Sequence, residues 1–216
     1  NQPMSSQDNN YLIIFNGEIY NHKSLRKEYL PFHKFKTTSD TETLIELWSK
    51  FDKSSIPLLE GMFSFIIYNR KEKKWIAVRD RFGIKPLYYS YLNSNKNIIF
   101  SSEIKPILSL REKCPEINFD TLIDFLTQGF IDHNSYTFFK DVYKLNPGEY
   151  IESSLITGEI NKANWFDILS EYQKFKQINK ALTLRERQDY LETTLKEVLT
   201  ESLISDFKIA INLSNG

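Results

Sequence analysis

The pattern of apolar and polar positions first predicts a strand and two helices. An unbroken apolar run, "YLIIF", covers residues 11–15 and is typical of a buried strand. The stretch "NHKSLRKEYL" after it fits a short helix. Ser39 and Glu42 then fit a capping box, and apolar residues recur behind them at helical spacing: Leu44, Leu47, Trp48 and Phe51. We expect this second helix to pack on a sheet.

Between residues 61 and 104 the pattern changes to four strands. They read "MFSFIIYN", "KWIAVRD", "PLYYSYL" and "NIIFSSEI", with turn-like polar segments between them. Such close spacing predicts antiparallel pairing. Several of these strands are apolar on both faces, which favours a layered sandwich over a sheet with one face in water.

The second half of the chain predicts a helix, a hairpin and a change of domain. "FDTLIDFLTQG" fits a helix that ends at Gly129, and "KLNPGEYIESSLITGEI" fits a further hairpin. A second capping box, Thr183 with Glu186, opens a long amphipathic helix, and "FKIAINLSNG" fits a buried strand that runs into a small-residue loop. Since an α/β nucleotide-binding unit begins this way, we predict a first domain over residues 1–161, a polar linker over 162–182 and the beginning of a second domain over 183–216.

Composition and charge argue against several classes of protein. The 216 residues contain 28 basic and 28 acidic side chains, so no net field attracts a polyanion, and we expect no nucleic-acid partner. The apolar runs are far shorter than the roughly 18 to 20 residues that cross a bilayer, which predicts no membrane span. The single cysteine, Cys114, forms no internal disulfide, and no spacing indicates a metal site. We expect a cytoplasmic protein without a bound metal.

The first candidate for chemistry is the motif "FNGEIYN", residues 15–21. Asn16 offers a pair of side-chain N–H groups, and Gly17 lets a backbone N–H approach a ligand with no Cβ in the way. Two such donors can form an oxyanion hole, worth about 3 kcal/mol per donor, and Glu18 can accept hydrogen bonds from an ammonium. The alternative is a two-residue hairpin turn, for which Asn-Gly is a common signal.

The second candidate is Asp40 in "TTSDTET". A carboxylate there either interacts with the helix dipole or lies at the mouth of the sheet as a ligand-binding group. Arg79 and Asp80 in "VRDRFGIKP" are expected to pair across a tight turn, in a structural role. Three scattered histidines are expected to be surface or structural residues: His22, His33 and His133.

The order of these motifs resembles one family. "NGEIYN", then about 20 residues later "SD-TE", followed by "L-GMFSF-IYN", "RD-FGIKPLYY" and "SSEIK-IL", together resemble the glutaminase domain of class II, N-terminal-nucleophile glutamine amidotransferases, with glutamine-hydrolysing asparagine synthetases the most similar. The resemblance is dense over residues 1–108 and looser through "F-KLNPGEY" and "ITGEI", and it resumes at "LS-G". It implies an α+β fold, an αββα sandwich of two antiparallel sheets, followed by the start of an α/β ATP-pyrophosphatase-type domain.

The resemblance also implies roles for four residues of the first domain. In the family an N-terminal cysteine attacks the side-chain amide of glutamine. Asn16 and Gly17 match the residues of the oxyanion hole, and Glu18 and Asp40 match those that contact the α-amino end of glutamine. The implied reaction is release of ammonia from glutamine.

At the C-terminal end the resemblance implies a nucleotide site. Leu213, Ser214 and Gly216 match the "LSGGLDS" loop that binds the pyrophosphate of ATP. Asn215 stands where that loop has its first glycine, so a Cβ could crowd the phosphate. The implied co-substrates are ATP and Mg²⁺, the implied acceptor is aspartate, and a homodimer is a further expectation.

Two departures from the family leave alternatives open. In the family, a nucleophilic cysteine and an arginine that holds the glutamine carboxylate lie before the part that matches "NQP", so this sequence lacks both. Cys114 cannot replace the nucleophile, because it has no free α-amino group to act as its base. We therefore interpret the sequence as a fragment that does not hydrolyse glutamine alone. The alternatives are a relative that amidates another carboxylate, for instance on a surface sugar, and an inactive, truncated paralogue.

Overall fold

A computed structural model describes residues 2–92, 97–111, 115–203 and 210, and within them it shows nine strands and six α-helices. The strands are β1 (Met4–Ser5), β2 (Tyr11–Ile19), β3 (Gly61–Asn69), β4 (Lys74–Arg79), β5 (Tyr88–Leu92), β6 (Asn97–Ser101), β7 (Tyr143–Lys144), β8 (Glu149–Ser154) and β9 (Ile160–Asn164). The helices are α1 (His22–Tyr29), α2 (Asp40–Phe51), α3 (Ile104–Ser109), α4 (Phe119–Gln128), α5 (Ile168–Ile178) and α6 (Leu184–Ser202), and a 3₁₀ helix covers Asp52–Leu58.

The strands form two antiparallel sheets, in the orders β1-β2-β3-β4-β8-β9 and β6-β5-β7. The predicted α+β class with two antiparallel sheets is therefore confirmed. The four strands predicted between residues 61 and 104 do not share one sheet, however. β3 and β4 belong to the larger sheet and β5 and β6 to the smaller one, because the segment after β4 crosses from one layer to the other.

Hydrophobic cores lie on both faces of the larger sheet. On one face α2 packs on β2 and β3, as predicted, and the ring centroids of Trp48 and Phe65 lie 6.1 Å apart. On the other face the smaller sheet packs on the larger one, with the Trp75 and Phe100 ring centroids 5.2 Å apart. Burial on both faces explains why these strands read as nearly continuous apolar runs.

The segment from β7 to β9 differs from the single hairpin predicted there. β8 and β9 do form a hairpin, whose connection contains Gly158, but β7 pairs with β5 in the smaller sheet. The turn at Pro147 and Gly148 therefore joins the two sheets. It is held by a hydrogen bond from Gly148 N to Asp80 O at 2.8 Å.

Regular structure extends into residues 162–182, the predicted linker. The end of β9 and the helix α5 fall within this segment, and the Asp167 side chain caps α5 by accepting from Leu169 N and Ser170 N. The capping box at the start of α6 is confirmed, since Thr183 N donates to Glu186 Oε2 at 2.8 Å and Glu186 N to Thr183 Oγ1 at 3.4 Å. The domain boundaries stay a prediction, and apart from Ala210 the predicted last strand lies outside the described residues.

Two glycines let β2 and β3 approach one another closely. Gly17 and Gly61 have φ values of +151° and +149°, in a region that residues with a side chain rarely adopt. A Cβ on Gly17 would collide with Met62 O and would lie 2.6 Å from Phe63 Cα. A Cβ on Gly61 would collide with Glu18 O. The backbone contact between the strands therefore excludes a side chain at both positions.

Replacing Gly17 with Ala tests this constraint. We expect the free energy of unfolding to fall by about 3 kcal/mol or more, because the new methyl group meets backbone atoms, which cannot rotate away. Gly158→Ala is the matched control, since its φ is +70° but no described atom lies within 4 Å of the added Cβ. It should cost only backbone strain, about 1 kcal/mol. Urea unfolding measures both, and equal losses would contradict the close approach.

Candidate active site at the end of strand β2

Strand β2 continues through the "NGE" motif and does not stop before it. β2 pairs with β3 along its whole length, with Asn16 opposite Ser64 and Gly17 opposite Phe63. The predicted strand over residues 11–15 is therefore too short. The hairpin alternative for Asn-Gly is wrong, because the chain reaches β3 only after α1 and α2.

One edge of β2 is covered by side chains past the point where β1 pairs with it. Phe15 N donates to Gln2 Oε1 at 2.7 Å, and Ile19 N donates to Asp40 Oδ2 at 2.9 Å. Backbone groups of alternate residues point to the same edge of a strand. Gly17 lies between Phe15 and Ile19, so its N–H is directed to this edge, between the two side chains. A ligand placed there would meet a backbone N–H with no Cβ beside it.

Asn16 projects from β2 toward the smaller sheet. Its side chain alternates with those of Phe15 and Ile19, which are buried in the core below α2. Asn16 Nδ2 donates to Ser102 Oγ at 3.0 Å, just after β6 ends. Nδ2 carries a second proton, which can be donated to a ligand. Glu18 has the same alternation as Asn16 and lies on the same face of the strand.

Asp40 connects helix α2 to this part of β2. It is the first residue of α2, and its Oδ1 accepts from Thr41 N at 2.7 Å while Oδ2 accepts from Ile19 N. Both interpretations of Asp40 therefore describe features of its position, since it lies at a helix N-terminus and at the end of the sheet. The structure brings its carboxylate to the Asn16–Ile19 stretch that holds the other candidate residues.

A buried polar network fixes the start of α2. Ser39 Oγ accepts from Glu42 N at 3.3 Å, which is half of the predicted capping box. The Glu42 carboxylate does not return to Ser39 but accepts from Lys36 N and Thr37 N, each at 2.7 Å. Arg26 donates to Thr37 O at 2.9 Å and to Ser39 O at 2.6 Å. Although burial opposes it, these hydrogen bonds and the Arg26 charge hold the pKa of Glu42 below its usual value.

Two residues near the candidate site were not expected from the sequence. His22 begins α1, and its Nδ1 is buried without a hydrogen-bond partner among the described groups. Burial lowers the pKa of its imidazole, and the nearby Asp40 carboxylate partly offsets this. Ser102 contacts Asn16 across 86 positions of sequence. Ser102 belongs to the motif "SSEIK-IL" and His22 directly follows "NGEIYN". The motifs do not indicate, however, that Ser102 contacts Asn16 or that His22 lies near Asp40.

Arg79 and Asp80 bond to backbone groups and not to each other. Asp80 is buried, and its carboxylate accepts from the backbone N–H groups of four residues: Phe63, Phe82, Ile84 and Lys85. Arg79 donates to three backbone carbonyls: Gly83, Lys85 and Leu145. The predicted pairing is therefore wrong. The two charges instead shape the segment that leads from one sheet to the other.

The residues predicted to bind ATP, Leu213, Ser214 and Gly216, lie outside the part of the chain that the structure describes. Asn215, the departure in that loop, and Cys114, which was not predicted to be the nucleophile, lie outside it too. Within the described ranges, no group of three or more His, Cys, Asp or Glu side chains could hold a metal ion. The helices of those ranges include none that is long and apolar enough to cross a membrane.

Comparison with known proteins shows the family of the chain. A family model described as a glutamine amidotransferase domain matches residues 1–166. The chain belongs to the glutamine amidotransferase domain family. It is thus a class II amidotransferase domain related to asparagine synthetases, as the order of its motifs predicted.

Individual relatives of this amidotransferase domain carry different names. Asparagine synthetase (glutamine-hydrolyzing) 2 of Bacillus subtilis is 34% identical over 227 residues, covering 100% of this chain and 29% of that protein. Amidase chyE of Penicillium rubens is 34% identical over 216 residues, covering 100% of this chain and 30% of that protein. The chain thus spans less than a third of the length of these relatives.

A solved structure shows the same fold. Glutamine phosphoribosylpyrophosphate amidotransferase from B. subtilis, complexed with ADP and GMP, matches the domain with a TM-score of 0.51 at 20% identity. The match covers 76% of this chain and 32% of that chain. It supports the arrangement of two antiparallel sheets.

Glu42→Gln tests the network that holds the start of α2 in the amidotransferase domain. Because the folded pKa of Glu42 lies below its unfolded value, its charge stabilises the fold above the unfolded value of about 4.5, and this is lost as pH falls through the folded pKa. We expect the variant to lose about 2 kcal/mol of unfolding free energy at pH 7, because an amide N–H₂ would face backbone donors.

Urea unfolding at pH 7 and at pH values below 4.5 checks this expectation, and the difference from the wild type should shrink in acid. Glu159→Gln, at an exposed carboxylate, is the control and should change little at either pH. A loss in Glu42→Gln that does not vary with pH would contradict a role for the charge.

Proposed function

We propose that the chain is the glutaminase part of a longer, glutamine-dependent asparagine synthetase. The observation that carries the proposal is the hydrogen bond from Ile19 N to Asp40 Oδ2, which joins the "NGE" stretch of β2 to the carboxylate that begins α2. It gathers amide donors and carboxylates at one end of the larger sheet. Free glutamine needs both kinds of group, one for its amide oxygen and one for its ammonium.

Spacing along β2 suits a substrate of this size. A strand rises about 3.3 Å per residue, so Gly17 and Ile19 are separated by about 6.6 Å. The Gly17 N–H and the Asp40 carboxylate bound at Ile19 are therefore about one glutamine side chain apart, allowing for a hydrogen bond at each end. This supports the assignment of the amide to Gly17 and of the α-ammonium to Asp40.

In the proposed mechanism, Asn16 Nδ2 and the Gly17 N–H donate to the oxygen of the tetrahedral intermediate. Charge develops on that oxygen when a nucleophile attacks the amide carbon, so donors already in place lower the barrier. Asp40 and Glu18 bind the ammonium and keep the amide aligned with the donors. The attacking thiolate is that of an N-terminal cysteine outside these 216 residues, whose α-amino group takes the thiol proton and passes it to the leaving nitrogen. Ammonia leaves as the C–N bond breaks, and water then hydrolyses the thioester to release glutamate.

The coupled step belongs to the rest of the proposed protein. There, aspartate and ATP with Mg²⁺ form an aspartyl-adenylate and pyrophosphate, and ammonia displaces AMP to give asparagine. Leu213, Ser214 and Gly216 are proposed to bind the pyrophosphate. The relationship to asparagine synthetases along the whole chain supports this reaction.

A second candidate is amidation of a different carboxylate. It is favoured by one observation, the equal identity of the chain to the Penicillium amidase. The assay that separates the candidates supplies the longer protein with glutamine, ATP and aspartate and measures glutamate and asparagine. Asparagine formed in step with glutamate supports the synthetase, whereas glutamate without asparagine supports another acceptor.

Asn16→Ala tests the oxyanion donor in this assay. We expect glutamine hydrolysis to fall about 10²- to 10³-fold, because one donor to the intermediate is lost. Synthesis with added ammonia should be preserved, since it bypasses the amide. Asn161→Ala, at an exposed position of β9, is the control and should leave both rates unchanged. An unchanged hydrolysis rate in Asn16→Ala would reject the assigned role.

Asp40→Asn tests the site for the ammonium. We expect a higher KM for glutamine with ammonia-dependent synthesis intact, because the charge that attracts the ammonium is lost. The variant also weakens the acceptor at Ile19 N, so its unfolding free energy is measured alongside. Loss of both glutamine- and ammonia-dependent synthesis would indicate instead that Asp40 serves folding.

A further inference from the structure

We propose that Ser102 is a positioning residue that aims the Asn16 amide in the oxyanion hole. This inference rests on the proposed function of Asn16. Ser102 Oγ accepts from Asn16 Nδ2 at 3.0 Å, although the two residues lie in different layers of the fold and 86 positions apart. The serine would not contact glutamine and would act only through the asparagine.

An asparagine side chain needs such a partner to serve as a fixed donor. The terminal torsion of Asn is broad, so an amide with no partner samples many orientations. An oxyanion donor is effective only when it already points to within about 2.7–3.1 Å of the developing charge. Because Nδ2 has two protons, a bond to Ser102 occupies one and fixes the direction of the other.

Rigid elements hold Ser102 in place. It directly follows β6, whose last residue Ser101 pairs with Tyr88 of β5. On its other side, Glu103 N donates to Ser101 Oγ at 3.2 Å, and α3 begins at Ile104. Ile107 of α3 is fully buried. A hydroxyl held between a paired strand and an anchored helix can act as a reference point for Asn16.

The contact also connects the two sheets at the candidate site. β2 belongs to the larger sheet and Ser102 follows a strand of the smaller one. The direction of the Asn16 amide therefore depends on how the sheets pack. This explains how a polar bond at the end of the sandwich can serve catalysis and not only stability.

The kinetic test compares Ser102→Ala with Ser102→Thr in the longer protein. We expect Ala to lower kcat for glutamine hydrolysis about 5- to 10-fold, the equivalent of one hydrogen bond, with KM for glutamine changed less than about 2-fold. Thr retains the hydroxyl and should restore kcat. Ser109→Ala, which removes an exposed hydroxyl of α3, is the control and should have no effect.

A double variant separates positioning from a general effect on folding. If Ser102 acts only through Asn16, Asn16→Ala with Ser102→Ala should be no slower than Asn16→Ala alone. A fall in kcat for the double variant equal to the product of the two single falls would overturn the proposal. A large fall for Asn16→Ala with none for Ser102→Ala would overturn this inference alone, whereas no fall for Asn16→Ala would overturn the proposed function.

A second measurement uses the 216-residue chain and needs no catalysis. In nitrogen-15 NMR spectra, the signals of the two Nδ2 protons of Asn16 are assigned by their loss in Asn16→Ala. Their chemical shifts should be well separated, and both protons should exchange slowly with solvent. In Ser102→Ala the two chemical shifts should become more similar and the exchange faster, and Ser102→Thr should restore both properties. Identical signals in the wild type and Ser102→Ala would show that the serine does not hold the amide.

Discussion

The close approach of β2 and β3 at Gly17 and Gly61 is the constraint on which the candidate site depends. Because each glycine has no Cβ to collide with the backbone of the other strand, β3 holds β2 in regular pairing as far as Ile19. Asn16 and Glu18 are therefore fixed on a strand and not carried by a mobile turn. The pairing with β3 also leaves the other edge of β2 to side chains, and that edge is where the Gly17 N–H points.

Helix α2 supplies the other half of the candidate site, the Asp40 carboxylate. Its position against the sheet requires that a polar side chain near its start be buried. Its first residue, Asp40, bonds to β2, while Glu42, in the same first turn, is buried and bonded to the segment before the helix. A carboxylate buried there without hydrogen bonds would destabilise the folded state. The hydrogen bonds that Glu42 accepts from Lys36 N and Thr37 N are therefore needed to hold the start of the helix. The strand pairing and this polar network together hold the Asp40 carboxylate at the Asn16–Ile19 stretch of β2.

Local signals in the sequence predicted most of the helices, and non-local contacts explain the failures. Capping residues and apolar periodicity identified α2 and α6 because both act within a few residues. The predicted strand ended at Phe15 because Asn, Gly and Glu are uncommon in strands. In the structure, pairing with β3 decides where β2 ends. The contacts of Asp80 with β3 and Gly148, which help the chain change sheets, are non-local and could not be predicted in this way. The contact of Asn16 with Ser102 is equally invisible in sequence, although motif order identified Asn16, Gly17, Glu18 and Asp40 as candidates.

The geometry bears on the donor half of the proposed reaction and leaves the acceptor half to other residues. In the proposed function, Asn16, Gly17 and Asp40 bind an amide and an ammonium, which glutamine carries whatever molecule finally receives its nitrogen. The ammonia released is the same whatever the acceptor. A change of acceptor therefore does not require a change in these residues. This explains how a synthetase and an amidase can resemble the chain equally. It also means that changes at Asn16 or Ser102 should act on glutamate formation alike for any acceptor, and that the acceptor must be identified from its product.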